Sequence, residues 1–404
     1  MEVKEYELGD LLAYEQPTPY IVESTKYSDA YETPVLTAGK SFIIGHTNET
    51  TGIFENLPVI IFDDFTTATQ YVNFKFKVKS SAMKILTTNK ELVLPKYAYY
   101  RMQIINFDHS THKRYWIQHY SKLRIQIPSL SVQVKIIEKI EELFSELDKS
   151  VETLQTIKQQ LAVYRQAVLK EAFEGKWHCP KRHNISSSIS FKQIKQGEIE
   201  KLGLIPPEWK YVYFSDLGDL SRGKSKHRPR NDARLFEDGI YPFFQTGDVK
   251  SANKQLVECE KKYGEFGLKQ SKLWPAGTLC ITIAANIAET CFLGVDGCFP
   301  DSIVGFTPTE DVINKEYIRY FVEASKLRLW AFAPATAQKN INLTTLENLI
   351  IPYCAMDEQE FIVEEIESRL SVCDSIEQTV DIALAQADAM RQSILKQAFE
   401  GGLN

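Results

Sequence analysis

What the chain lacks narrows its function first. Its seven cysteines in 404 residues all lie at or after Cys179, and none forms a CxxC pair. The odd count argues against a disulfide framework, and Cys373 falls on an apolar helix position, as a small core residue would. His178, Cys179 and His183 have no further ligands at metal-site spacing and read as surface linker. No apolar run is long enough to span a membrane, and the opening MEVKEYELGDLLAYEQ is acidic with no apolar core. No export signal is read, and the cytoplasm is the expected compartment. Catalytic signatures are also missing. Asp63 and Asp64 have no lysine or further acid at nuclease spacing, so a turn or structural role is expected. The PDS of residues 300–302 lacks the ExK continuation of a nuclease, and IPPEW (205–209) is no [ND]PP[YF] methyltransferase motif. There is no FxGxG cofactor loop and no helicase set. No catalytic residue, metal ligand or resident cofactor is assigned.

What is present is a duplication. Residues 165–175 read RQAVLKEAFEG and residues 391–401 read RQSILKQAFEG, an offset of 226. The offset holds back without a gap through Asp148/Asp374, Ser145/Ser371 and Ile136/Ile362 to Gln133/Gln359. Two similar halves in series follow. Each repeat is a long helix pattern. Apolar residues in the first fall at Ile137, Ile140, Phe144, Leu147, Val151, Leu154, Ile157, Leu161, Tyr164, Val168 and Ala172, in steps of three and four. The second shows Val363, Ile366, Leu370, Cys373, Val380, Ala387, Ile394 and Ala398. Gly175 is a stop just past the first helix. One such helix cannot bury its seam alone. The other copy is the obvious partner; pairing with a second chain is the alternative.

The boundaries are a first domain at 1–132, a helix at 133–175, a linker at 176–204, a second domain at 205–355 and a helix at 356–401. In the first domain, residues 34–45, 57–65 and 71–86 read as strand material and 94–107 as a short helix. Fragments echo between the domains: Leu8-Gly9-Asp10-Leu11 recurs as Leu217-Gly218-Asp219-Leu220, and both LRIQIP (123–128) and ENLIIP (347–352) run into a helix. The fold class is α+β: two α/β domains separated by two long antiparallel coiled-coil helices, related by an internal pseudo-two-fold repeat.

The net charge of −6 does not exclude nucleic acid, because its distribution is uneven. Residues 136–174 hold eight acids and five bases, and residues 357–400 eleven acids and three bases, leaving the domains net basic. Each domain has a basic cluster. The first has Lys75, Lys77, Lys79 and Lys84, whose alternation on a strand would put charges on one face, then His109, His112, Lys113, Arg114, Tyr115 and Gln118. The second has Arg222, Lys224, Lys226, Arg228 and Arg230, with Gln245, Thr246, Lys339 and Asn340 completing the candidate set. Arg and Lys suit phosphates and guanine, and Asn and Gln suit adenine edges. GDLSRGKS (218–225) also fits the P-loop pattern letter for letter, but no apolar helical face follows. The functional readings are a non-catalytic DNA reader, a P-loop nucleotide-binding protein and a coiled-coil scaffold that binds only protein.

Four stretches resemble the specificity subunit (HsdS) of type I restriction–modification systems. They are IPPEWKYVYFSDLGDLSRGK (205–224), QKNINLTTLENLIIP (338–352), DEQEFIVEEIESRLSVCDSIE (357–377) and the LKxAFEG end of both helices. The first half departs from the pattern: it lacks the Gln-x-Asn-Ile text, and no Glu precedes Gln133. The resemblance implies that each domain is a target-recognition domain reading one half of a bipartite double-stranded DNA site. It implies that the helices form a spacer and that two HsdM methyltransferase subunits bind, using S-adenosylmethionine to methylate an adenine in each half. HsdR restriction subunits would add ATP- and Mg-dependent translocation and cleavage. None of that chemistry would reside in this chain.

Overall fold

Val59–Asp63 is buried at all five positions, so both faces of this strand are covered. In the computed structural model it lies inside an antiparallel sheet of order Leu12–Glu15, Met83–Thr88, Val59–Asp63, Thr69–Val72. The structure describes residues 3–37, 41–105, 115–180, 182–185, 190–252, 254–309, 312–331 and 340–400. Its chain divides into two units, 1–156 with 380–404, and 157–379. In the first unit the stretch 71–86 is not one strand. Its middle, Lys77–Val78, joins Thr33–Leu36 and Ile43–Thr47 in a separate three-stranded sheet. There Phe76 and Val78 pack with Leu36 and Phe54 against Val59, Ile61, Val72, Met83 and Ile85 of the four-stranded sheet.

The second unit repeats the sheet. Gly218–Arg222, Ile303–Pro308, Leu279–Thr282 and Thr290–Leu293 follow in the same antiparallel order, and Gln255–Leu256 adds a parallel edge. After the sheet strands a helix packs in each unit, Pro95–Met102 in one and Lys315–Ala324 in the other. Each domain is then closed by its first and last strands: Lys4–Glu7 pairs with Arg124–Ile127, and Lys210–Tyr213 with Ile350–Tyr353. One scaffold is carried twice.

The long helices are Leu130–Phe173 and Met356–Glu400. At 1.5 Å per residue each is about 65 Å long. The first ends at Gly175, whose φ of 64° is left-handed, and a Cβ there would lie 2.4 Å from Pro206. Within each unit the two helices run antiparallel. In the first unit Ile140 packs with Leu395 and Ala398, and Asp148 pairs with Arg391. In the second, Arg165 bonds Asp374 at 2.7 Å and Glu377 at 3.0 Å, and Val168, Leu169 and Ala172 share a core with Ile362, Val363 and Ile366. The ion pairs are reciprocal, because Arg165/Arg391 and Asp148/Asp374 stand 226 residues apart. Half-exposed pairs of this kind contribute about 0.2–1 kcal/mol. The apolar seam, in which Cys373 is buried as expected, therefore supplies most of the pairing energy.

The repeated residues also grip the domains. Gln133 and Gln359 are both fully buried, so every polar atom needs a partner. Gln133 accepts from the Leu94 amide at 2.9 Å and donates to Leu92 and Pro128 carbonyls at 2.9 Å each. Gln359 accepts from the Asn314 amide and donates to the Cys354 carbonyl, both at 2.8 Å, and reaches the Val312 carbonyl at 3.5 Å. The far ends act as plugs. Phe173 meets Tyr317 and Phe321 edge-on at 5.0 and 5.1 Å, and Phe399 meets Tyr97 edge-on at 5.2 Å. Each domain is thus held by the start of one helix and the end of the other. The second unit adds a link: buried Glu358 accepts from Arg182 at 2.7 Å and from Trp209 at 2.9 Å. In the first half the matching positions are Val132 and Val3, so Glu and Trp are absent together.

Candidate nucleic-acid interface

In the second unit the basic loop leaves the sheet at the end of Gly218–Arg222. GDLSRG is itself strand and turn, paired with Ile303–Pro308, and no helix opens behind it. A Cβ on Gly218 would lie 2.3 Å from the Thr307 carbonyl oxygen, and one on Gly223 2.4 Å from that of Phe299. These glycines permit close strand packing and do not form a phosphate cradle, which removes the physical basis of a P-loop.

Arg222 and Arg230 converge on Asp301. The Arg222 Nε donates to the Asp301 carbonyl oxygen at 2.8 Å, and an Arg230 Nη donates to the Asp301 carboxylate at 2.9 Å. Thr246, Ala285, Ser302 and Asn340 line the same cleft, of about 370 Å³. Asn340 bridges to Ala284 on the turn that joins strands Leu279–Thr282 and Thr290–Leu293. Ala285 and Ala288 in that turn have φ of 63° and 62°, a conformation that costs a non-glycine residue about 1 kcal/mol or more. Buried Thr282 braces the turn: its hydroxyl donates to the Asn286 carbonyl and accepts from the Glu289 amide at 3.0 Å. Both left-handed alanines therefore sit in the turn beside the cleft that holds the two arginines.

The remaining candidates of this unit have different positions. Lys224 and Lys226 are exposed. An Arg228 Nη is turned back on its own loop, donating to Ser225 and His227 carbonyls at 2.6 and 2.9 Å. Gln245 caps the helix Thr246–Ser251 in a reciprocal arrangement with Asp248, so its side chain is occupied. Asp232 steadies the loop; Arg234 and then His227 hold its carboxyl well below the usual range. Lys339 lies outside the described residues.

The first unit corrects the expected lysine face. Lys77 is 3 % exposed, ion-paired to Glu49 at 2.8 Å and bonded to the Thr51 carbonyl at 2.7 Å. Lys84 is 1 % exposed, 3.4 Å from the Asp64 carboxylate and bonded to Gln16 at 3.1 Å. Tyr115 is buried as well, with its amide on the Asp64 carbonyl at 3.0 Å. These three are internal supports and cannot face a duplex: a buried charge is retained only with its partner. Lys75 is exposed but pairs with Glu55 at 2.7 Å, while Lys79 and Gln118 are exposed. His109, His112, Lys113 and Arg114 lie outside the described residues. Asp63 and Asp64 are structural: Asp63 accepts from Phe65 and Thr66 in the turn, and Asp64 accepts from the Trp116 amide at 2.9 Å. The stretch is broken into Lys77–Val78 and Met83–Thr88 in different sheets, so its lysines share no face, which is why the alternation misled. Asp301 was visible in the sequence only as part of PDS, with no sign of its neighbours.

Residues 206–386 match the family model described as the type I restriction modification DNA specificity domain. The chain is 32 % identical over 403 residues to the type I restriction enzyme EcoR124I/EcoR124II specificity subunit of Escherichia coli, covering 93 % of this chain and 89 % of that one. Among solved structures, a chain from a work on complex assembly and conformational transition of the type I R-M system aligns with a TM-score of 0.68, at 16 % identity and coverage of 99 % and 98 %. The HsdS subunit of Thermoanaerobacter tengcongensis aligns with a TM-score of 0.53, at 18 % identity and coverage of 99 % and 97 %.

Proposed function

The chain belongs to the family of type I restriction–modification specificity subunits, and we propose that each of its two domains reads one half of a bipartite double-stranded DNA site. The observation that carries this reading is the duplication of the whole reader: the same sheet order, the same buried glutamine and the same aromatic plug in each unit. Two readers fixed to continuous helices engage a duplex together, and the second contact gains from effective concentration. Half-sites about one helical turn apart, ~34 Å, can be met from one face. The strand-and-turn geometry of residues 218–225 gives the nucleotide-binding alternative no support.

The chain is the specificity component of a larger complex, and the chemistry falls to its partners. Two methyltransferase subunits would dock on the helices, hold S-adenosylmethionine, and flip and methylate one adenine in each half-site. Restriction subunits would bring ATP and Mg. Docking on the helices is supported by Val372 and Ile376, one turn apart on one face and exposed, with Val163 exposed on the other helix of the same unit. No described helix is long and apolar enough to cross a membrane, and we place the complex in the cytoplasm. Sequencing methylated adenines in cells that carry this chain with its methyltransferase partner tests the reading. Paired modified adenines at a fixed separation are expected; modification of a single continuous site would refute two-domain reading.

A further inference from the structure

We infer that Arg222 is a base-reading residue, presented by Asp301 to a G·C pair in the half-site of the second domain. This rests on the DNA-reading assignment above and adds which contact carries sequence information.

The Arg222 backbone is fixed on both sides. Arg222 is the last residue of its strand in register, opposite Val304, and the next amide, Gly223, donates to the Ile303 carbonyl at 2.9 Å. Gly223 itself lies so close to Phe299 and Pro300 that no side chain fits there. The guanidinium is then oriented through one edge. Its Nε is bound to the Asp301 carbonyl, and among the described residues neither Nη has a partner. That leaves a free, planar pair of donors, the shape that matches O6 and N7 of guanine. Pre-orientation matters because a free arginine would lose side-chain entropy on docking.

The neighbouring acid adds an acceptor that a base edge can use. Asp301 is about half exposed and uses one carboxylate oxygen on Arg230. That carboxylate is paired with Arg230 and not with Arg222, and its other oxygen suits a groove edge that offers the cytosine amino group as a donor. Arginine and aspartate together therefore match a G·C pair. Arg228 lacks this arrangement, since one of its two Nη atoms is spent on loop carbonyls and the fork is broken.

The test uses the intact chain in complex with its methyltransferase partner, on duplexes carrying the mapped site and every single base-pair change in it. Arg222→Ala and Arg222→Lys should both lose discrimination at one G·C pair of one half-site, by about 5- to 150-fold. Discrimination in the other half-site and the salt dependence should stay as in the wild type. Asp301→Asn should relax the same base pair. Uniform weakening on all sequences with a shallower salt slope would make Arg222 a phosphate contact and overturn the inference. Full discrimination by Arg222→Lys would also overturn it, because lysine keeps the charge and loses the fork. A wild-type complex that discriminates no sequence would instead remove the DNA-reading assignment, and this inference with it.

Discussion

Replacing Gln359 by Glu tests how the second domain is held. The wild-type side chain is fully buried, with its Oε1 accepting from the Asn314 amide and its Nε2 donating to the Cys354 carbonyl, both at 2.8 Å. Glu keeps the acceptor and turns the donor into an oxygen that faces a carbonyl. When ionised it is also a buried charge beside the Glu358 carboxylate, which Arg182 and Trp209 already occupy. Full burial raises a carboxyl pKa by up to ~3–5 units, and about 3 units at 1.36 kcal/mol each gives ~4 kcal/mol lost at neutral pH. The sign follows from linkage. The folded-state pKa lies above the unfolded value of about 4.3, so the protonated side chain can donate to Cys354 and the fold is stable at low pH. That stability falls as pH rises above the unfolded value towards the raised folded pKa. Calorimetry of the full chain should show the transition of the second unit ~8–16 °C below wild type at pH 7.5, with most of the gap closed at pH 4.5. Gln359→Leu should instead lose ~2–4 kcal/mol at every pH, because it orphans the Asn314 amide and the Cys354 carbonyl. A glutamate variant with the wild-type midpoint across this pH range would refute the pin.

Two further outcomes follow from the same geometry. Removing one heptad from both long helices together should shorten the strut by ~10 Å, about three base pairs, and alter the gap between half-sites without changing the sequence of either. Methylation mapping reads this directly, and an unchanged gap would rule out the strut. Lys84→Ala should cost ~3–5 kcal/mol in stability, since Asp64 is left buried and unpaired, while the DNA affinity of the folded fraction stays constant. A drop in affinity with unchanged melting would restore Lys84 to the DNA surface.

Most of the architecture was legible in the repeat. A seam in steps of three and four over forty residues is a helix, a seam must be covered, and a copy 226 residues on supplies the cover. The text of the repeat also told where the contacts recur, because Gln133/Gln359 and the AFEG ends are alike for a reason: they meet the same carbonyls and the same aromatic sockets in each unit. Which charges are available is set by the folded contacts. Lys77, Lys79 and Lys84 are equivalent in sequence, yet two are buried against acids from strands and loops remote in the chain, and burial depends on those neighbours. Asp301 is the converse case: an acid within a basic surface, given its role by two arginines 79 and 71 residues away. Periodicity is a local property that survives in one dimension, whereas the pairing and exposure of a charge are set by contacts that exist only after the sheet has closed.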